Sequence, residues 1–370
     1  MNKKRIALHI SGNRYDTDAF KTSTSKIWLE LSKNYDEYIV FARNKGKSYN
    51  TITEGKVKLI LIPSLFSRMF EFFFSSFISI PFISKYKPEV IIIQCPVYGG
   101  IAASFSKIFY KKPRLFFEFH GEHYFQPSSS SFYRRIEHYF YRFFTSISIK
   151  NAWKIRALSK QMKLLIQEKY KKNNICVIPP RVNLKIFSNQ RKRFESLPEN
   201  LNIVTIGHMS KNKNHLKLIE KLADSDLNFR LHIIGDGPES HICKLRIFEL
   251  NLQNRVFLHG HLHHSEIIEI FKSCELYIHF SKSEAIPRAI LEAMASGLVV
   301  IALKAGFIEH ILKDKVNGYI LENEDELLKK LKSLNKSNNL LNVTNNALRD
   351  IQINYNSEEV YASYRKELTQ

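Results

Sequence analysis

Residues 281–302 read SKSEAIPRAILEAMASGLVVIA, and the order of residue types along that stretch decides the fold. Just upstream, Leu276-Tyr277-Ile278-His279-Phe280 is a short apolar run of the kind that forms a buried strand. Pro287 suits the first position of a helix, where the amide hydrogen it lacks would have no intrahelical partner. Gly297 supplies the stop, as the left-handed residue after a helix, and Leu298-Val299-Val300-Ile301 resumes as an apolar strand. Strand, tight loop, short helix and strand, with both strands apolar throughout, make a βαβ unit of a parallel sheet. Glu284 then sits in the loop leaving a strand's carboxyl end. Glu292 lies near the start of the following helix, on its inward side, so both carboxylates face one crevice.

Open α/β sheets bind ligands at the carboxyl ends of their strands, and the free amides of a helix start favour phosphate. A carboxylate in such a place accepts hydrogen bonds from hydroxyls, so a phosphate subsite flanked by two glutamates describes a nucleotide sugar. Two glutamates alone read more simply as a helix cap and salt bridges. The surrounding Pro287, Glu292-Ala293-Met294-Ala295, Gly297 and Val300-Ile301 reverse that balance, because together they resemble the signature of family 4 of the retaining glycosyltransferases. That resemblance implies the GT-B fold: two Rossmann-like doubly wound α/β domains facing a central cleft, with a C-terminal helix crossing back to the first.

Composition agrees with this class. At 370 residues the chain exceeds what one hydrophobic core serves, so two domains are expected. A hydrophobic share of 44% argues for a folded chain. Cys95, Cys176, Cys243 and Cys274 stand singly, without the close pairs of zinc or thiol redox motifs, and read as buried thiols of a reducing cytosol. The start, MNKKRIALHISGN, has too short an apolar run for a signal peptide and reads as a first strand. Residues 72–83, FFFSSFISIPFI, fall short of the roughly 20 residues that cross a bilayer. Net charge is +21 and wholly lopsided: residues 1–200 carry 35 basic and 14 acidic side chains, residues 201–370 carry 21 of each. The placement points to an anionic partner of the first half, lipid or nucleic acid.

Apolar runs alternate with amphipathic stretches along the whole chain. Strands are expected at Arg5 to Ile10, Tyr38 to Phe41, Val57 to Ile62, Val90 to Gln94, Arg114 to Phe119, Ile155 to Leu158 and Cys176 to Ile178. A second set follows at Asn202 to Gly207, Arg230 to Ile234, Val256 to Leu258, Leu276 to Phe280, Leu298 to Ala302 and Gly318 to Leu321. The polar stretch SNQRKRFESLPEN reads as a linker. The expected domains are residues 1–187 for the acceptor, a linker at 188–200, residues 201–350 for the nucleotide sugar, and residues 351–370 as the helix that packs on the first domain.

The resemblance assigns roles residue by residue. Ile206-Gly207-His208-Met209-Ser210-Lys211-Asn212-Lys213-Asn214 looks like the strand-to-helix loop in which an arginine and, five residues later, a lysine hold the diphosphate. Lys213 matches the lysine. His208 stands where arginine is usual, and Lys211 is placed to share its role. Ile234-Gly235-Asp236-Gly237-Pro238 resembles the turn that shapes the nucleotide pocket. In the signature, Glu292 is implied to hold ribose hydroxyls, Glu284 to lie near the donor sugar as a catalytic group, and the amides of the segment from Ile286 to Arg288, which has Pro287 at its centre, to face the phosphates. Arg288, where an apolar residue is usual, is placed to supply charge that His208 lacks. Gly306-Phe307-Ile308-Glu309 and Asn317-Gly318 repeat the closing loop and turn.

In the first half, Phe116-Phe117-Glu118-Phe119-His120-Gly121-Glu122 reads as a strand ending in a His-Gly loop, where the family places a histidine near the acceptor and the reacting sugar. His120 is therefore the second catalytic candidate. Ser11-Gly12-Asn13 takes the position of a small-residue loop admitting phosphate or acceptor, with Gly12 and Asn13 as its contacts. No resident metal or cofactor is implied. FYRRIEHYFYRFF at 132–144 interleaves aromatics with Arg134, Arg135 and Arg142, and with Lys107, Lys111, Lys112 and Arg114 suits docking on an anionic membrane.

The reading that follows is a metal-independent hexosyltransferase taking a UDP or GDP type donor and a lipid-linked or oligosaccharide acceptor. It is expected to be cytoplasmic, peripheral on the inner face of the plasma membrane, and to take part in bacterial surface-polysaccharide assembly, with no nucleic-acid partner. The Lys, Asn and Ile bias points to an AT-rich bacterial genome. Rival readings are another GT-B enzyme, such as a nucleotide-sugar epimerase or a phosphorylase, and a non-enzymatic basic binder of membrane or nucleic acid.

Overall fold

The computed structural model describes residues 4–21, 25–63, 77–94, 99–110, 113–120, 132–187, 195–284, 286–334 and 339–370. The chain divides into two compact units, Met1–Pro179 with Tyr361–Gln370, and Pro180–Val360. Each is built on its own sheet.

The first unit carries β1 (Ile6–Tyr15), β2 (Glu37–Asn44), β3 (Asn50–Glu54), β4 (Val57–Ile62), β5 (Val90–Ile93), β6 (Arg114–Glu118), β7 (Lys154–Ala157) and β8 (Ile175–Val177). They lie side by side in the order β3-β4-β2-β1-β5-β6-β7-β8. Only β3 is antiparallel to its neighbour, and its sequence NTITE offers one apolar side chain, which is why it does not read as a strand. Backbone pairing with β4 across the turn at Gly55, not burial, makes it one. The direction of winding reverses between β1 and β5, and ligands bind at the strand ends of such a reversal.

Ser11-Gly12-Asn13 does not form the expected loop after a strand. Ile10 pairs with Phe41 and Arg14 with Arg43, so the three residues make a bulge and β1 continues to Tyr15. Buried Tyr15, packed edge-on against Trp28 with ring centroids 5.1 Å apart, draws the chain back into the sheet. Arg43 Nη2 donates to the Gly12 carbonyl at 2.7 Å and closes the bulge.

In the second unit β9 (Asn200–Ile206), β10 (Asn228–Ile234), β11 (Val256–Gly260), β12 (Leu276–His279), β13 (Val299–Leu303) and β14 (Tyr319–Leu321) form a wholly parallel sheet, ordered β11-β10-β9-β12-β13-β14. Every residue of β12 and β13 is buried, as expected of strands covered on both faces by helices. Ile203, Ile233, Ile278 and Ile301 share one core with Leu218 and Leu222 of the helix His215–Ala223. Each such side chain contributes roughly 1.5–3 kcal/mol by leaving water. Winding reverses between β9 and β12, so the loops after these two strands border the crevice.

The segment 281–302 folds nearly as its residue types dictate. The helix Arg288–Ala295 ends at Gly297 with φ 80°, where Leu298 N–H donates to Ala293 O at 3.1 Å and Gly297 N–H to Met294 O at 3.2 Å. Pro287 stands one residue earlier than expected: with ψ 118° it is still extended and precedes the first helical residue, Arg288.

Candidate active site

The loop from β9 to the helix His215–Ala223 is shaped around one lysine. Asn214 adopts the left-handed conformation with φ 60°, which asparagine tolerates, and turns the chain so that the Lys213 stem lies back over Gly207. Gly235, with φ 134°, lies against this loop so closely that a Cβ there would stand 2.1 Å from the Gly207 carbonyl oxygen. Met209 N–H donates to Asp236 O at 3.0 Å and Gly207 N–H to Ile234 O at 3.0 Å. Gly235 and Gly237 thus brace the lysine's loop, and a Cβ on Gly237 would strike Met209. His208 and Lys211 are exposed on the loop.

Asn212 ties this loop to the one leaving β12. Its carbonyl accepts from Lys282 N–H at 2.9 Å and its amide donates to Ser283 O at 2.8 Å. The result is an ion pair between Lys213 Nζ and Glu284 Oε1, both largely shielded from water. Behind the carboxylate stands His279, fully buried, with Nε2 3.4 Å from Glu284 Oε1 and Nδ1 3.1 Å from the Tyr277 hydroxyl. The ring's hydrogen bond is the one between Nδ1 and the Tyr277 hydroxyl, while Nε2 faces Glu284 within ion-pair range but not aligned for a hydrogen bond. Burial pushes the Tyr277 phenol far up, and Glu284 and Glu292 push it further, which keeps it protonated. Burial lowers the pKa of His279.

The two glutamates are driven apart electrostatically. For Glu284 burial acts upward, but the neighbouring His279 imidazole and the ammonium of Lys213 outweigh it and hold the carboxyl down to about 2. For Glu292 burial wins over the opposing Arg288 one helical turn earlier and lifts the carboxyl to about 7. Its oxygens have no hydrogen-bond partner among the described residues. Arg288 is exposed at the helix start, while Ile286 and Pro287 are buried. The structure therefore brings together a fixed cation, an ionised carboxylate and a carboxyl able to take either charge state. Tyr277 and His279 escaped sequence reasoning. Their signal was a tyrosine and a histidine two apart on one face of an otherwise apolar strand.

In the first unit His120 follows β6, half exposed, and its Nε2 lies 2.7 Å from Glu118 Oε2. Glu118 is buried, and its other oxygen accepts from Arg156 Nη1 at 3.0 Å and from the Tyr364 hydroxyl. Glu118, Arg156 and Tyr364 were not singled out from sequence, since residues 118 and 364 meet only through the fold. Asn13 is exposed, its backbone N–H donating to Ser11 Oγ with nitrogen and oxygen 3.4 Å apart, and Ser11 donates to Gln94 Oε1 at 2.5 Å.

The basic surface is only partly as expected. Arg142, Tyr139 and Phe143 are exposed on the helix Phe132–Lys150, whereas the side chains of Arg134 and Arg135, and Lys111 and Lys112, lie outside the described residues. Lys107 and Arg114 are internally engaged: Lys107 donates to Asn151 O at 3.0 Å, and Arg114 stacks on Trp153 at 4.5 Å. Among the described residues no helix is long and apolar enough to cross a membrane, and no three His, Cys, Asp or Glu side chains converge as a metal site requires.

Two doubly wound units, the second with a Lys-Glu-His cluster at its winding reversal, define a GT-B glycosyltransferase. Sucrose-phosphate synthase of Thermosynechococcus elongatus has the same fold, with a TM-score of 0.81 at 16% identity over 98% of both chains. The Anabaena protein HepE, solved with UDP and glucose, gives 0.74 at 16% identity over 100% of both. Residues 28–186 match Glycosyltransferase Family 4 and residues 187–350 match Glycosyl transferases group 1, so this chain belongs to the group 1 glycosyltransferases, family 4. It is similar to an uncharacterised glycosyltransferase of Methanocaldococcus jannaschii, 23% identical over 97% of this chain and 94% of that one. It is also similar to alpha-monoglucosyldiacylglycerol synthase of Streptococcus pneumoniae, 26% identical over 41% of this chain and 37% of the relative.

Proposed function

We propose that this glycosyltransferase takes a sugar from a nucleotide-sugar donor of UDP or GDP type and passes it, with retention of anomeric configuration, to a hydroxyl of a lipid-linked or oligosaccharide acceptor. The observation that carries this reading is the cluster at the reversal between β9 and β12, where Lys213 pairs with Glu284 over buried His279 and Glu292 stands unmatched on the next helix. An ammonium and the backbone N–H groups of Ile286 and Arg288, on either side of Pro287, suit a diphosphate. Carboxylates suit hydroxyls, Glu292 those of the ribose and Glu284 those of the donor sugar. His208, Lys211 and Arg288 border the phosphate side, and Gly207, Gly235 and Gly237 shape it. That HepE, of the same fold, was solved with UDP and glucose supports a nucleotide sugar.

No covalent nucleophile is needed. The acceptor hydroxyl attacks the anomeric carbon on the face the diphosphate leaves, the new glycosidic bond forms as the phosphate C–O bond breaks, and the hydroxyl proton passes to the departing phosphate oxygen. Such a step depends on positioning and on fixed positive charge, which Lys213 and the helix start supply without a resident metal. In the first unit His120 contacts the substrates, and Gly12 and Asn13 border the acceptor.

A lipid acceptor is supported by the streptococcal relative, whose name specifies a glucosyldiacylglycerol product. Tyr139, Arg142 and Phe143, exposed on one helix, support docking on an anionic surface, for which we assign the inner face of the plasma membrane and a place in surface-polysaccharide assembly. The test is a panel of UDP and GDP sugars scored for slow donor hydrolysis, with Glu284→Gln as the control variant. One donor should be hydrolysed by the wild type, and the variant should lose most of that turnover. Equal turnover in Glu284→Gln refutes the role of the cluster, and indifference to anionic liposomes at low salt refutes the docking.

A further inference from the structure

Glu118 is buried at the carboxyl end of β6, yet three donors converge on it from three separate parts of the first unit. Arg156 of β7 donates Nη1 to Oε1 at 3.0 Å, and Tyr364, on the helix Ser357–Thr369, donates its hydroxyl to the same oxygen. Oε2 is left for His120, at 2.7 Å. Arg156 cannot turn away: its Nε donates to Ile178 O at 3.0 Å, its Nη2 to Pro179 O at 3.2 Å, and its guanidinium lies over the Tyr364 ring at 4.9 Å. Burial would raise the Glu118 carboxyl, but Arg156 and His120 hold it well below the usual carboxylate range.

A buried ion pair of purely structural purpose would need only Arg156. Here the arginine and the tyrosine share one oxygen and leave the other to the single half-exposed member of the group. An ionised carboxylate has no hydrogen to give, so the His120 nitrogen facing it must carry one. In a neutral imidazole the second nitrogen then holds a lone pair. We propose that Glu118, clamped by Arg156 and by Tyr364 of the C-terminal helix, is the positioning residue of the first unit, fixing His120 as the Nε2–H tautomer and presenting Nδ1 to a substrate hydroxyl. The inference rests on the substrate-facing role of His120 given above and adds which of its nitrogens acts and what sets it. It also makes the site depend on a residue 246 positions away in the chain.

The tautomer is read directly from the long-range nitrogen NMR spectrum of the intact wild-type protein labelled with 15N-histidine, the His120 signals being assigned by their loss in His120→Asn. The Nε2–H form is expected; the Nδ1–H form, or rapid averaging of the two, overturns the proposal. Glu118→Gln should lower kcat about tenfold or more, with donor KM within about twofold, since a misplaced proton spoils an otherwise intact geometry. Because that change strands Arg156 in the interior, Tyr364→Phe serves beside it, keeping the ring and removing only the hydroxyl. It should lose kcat several-fold and show mixed tautomers. Wild-type kcat together with an unchanged tautomer in Tyr364→Phe overturns the clamp. Full activity of His120→Asn would strike instead at the substrate-facing role, which the wild-type spectrum reads separately.

Discussion

Glu292→Gln should stabilise the second unit in neutral and alkaline solution and leave it unchanged in acid. Burial raises the Glu292 carboxyl from its ordinary 4.5 to about 7, against a smaller pull from Arg288. Between those two values the native state keeps a proton that the unfolded chain has released. Stability due to this group is therefore present below 4.5 and lost as pH rises through 7. A span of about 2.5 pH units at 1.36 kcal/mol each sets an upper limit of about 3 kcal/mol. For a unit of roughly 180 residues that corresponds to roughly 6–12 °C in Tm. Calorimetric unfolding of both proteins at pH 4, 5.5, 7 and 8.5 isolates the effect, because the other titrating groups cancel in the difference. The gap should be near zero at pH 4, widen through pH 5 to 7 and level off above 8. A gap already complete at pH 4, or flat across the series, refutes the argument that desolvation of this carboxyl governs it. The same shift reaches the proposed ribose contact, which needs the ionised acceptor. UDP binding to the wild type at pH 7 should release about half a proton, seen as an enthalpy that depends on the buffer, and Glu292→Gln should abolish that release.

Two further outcomes follow from the second unit. His279→Gln removes the ring that links Tyr277 to Glu284 while sparing Lys213, so kcat should fall about tenfold with UDP affinity little changed; titration calorimetry beside steady-state kinetics checks it, and an unchanged kcat refutes the support assigned to His279. Gly235→Ala would place a Cβ 2.1 Å from the Gly207 carbonyl oxygen at φ 134°, and should cost about 3 kcal/mol or more in a urea titration; a loss under about 0.5 kcal/mol refutes the close approach.

Much of the fold was legible because both faces of its central strands are covered. Leu276–His279 and Val299–Leu303 are apolar throughout for that reason, and Gly297 marked the helix end because few other residues take φ 80° without strain. Asn50–Glu54 was illegible because an edge strand is held by backbone pairing, which leaves no pattern in side chains. Ser11-Gly12-Asn13 misled for a related reason: small polar residues suit a loop and a bulge alike, and the choice was made by Tyr15 packing on Trp28, thirteen residues further on.

At the site, the sequence by itself determined which chemical groups are present and in what order: Lys213 in a strand-to-helix loop, Glu284 after a strand, Glu292 on the next helix, His120 after another strand. Only the tertiary structure decided which of them meet. Lys213 and Glu284 are 71 positions apart, and Glu118 and Tyr364 are 246. It also decided their charge. Glu284 and Glu292 are the same residue type in one short segment, yet one carboxyl is held at about 2 and the other raised to about 7. The physical reason is that ionisation answers to burial and to neighbouring charge, and both are properties of packing.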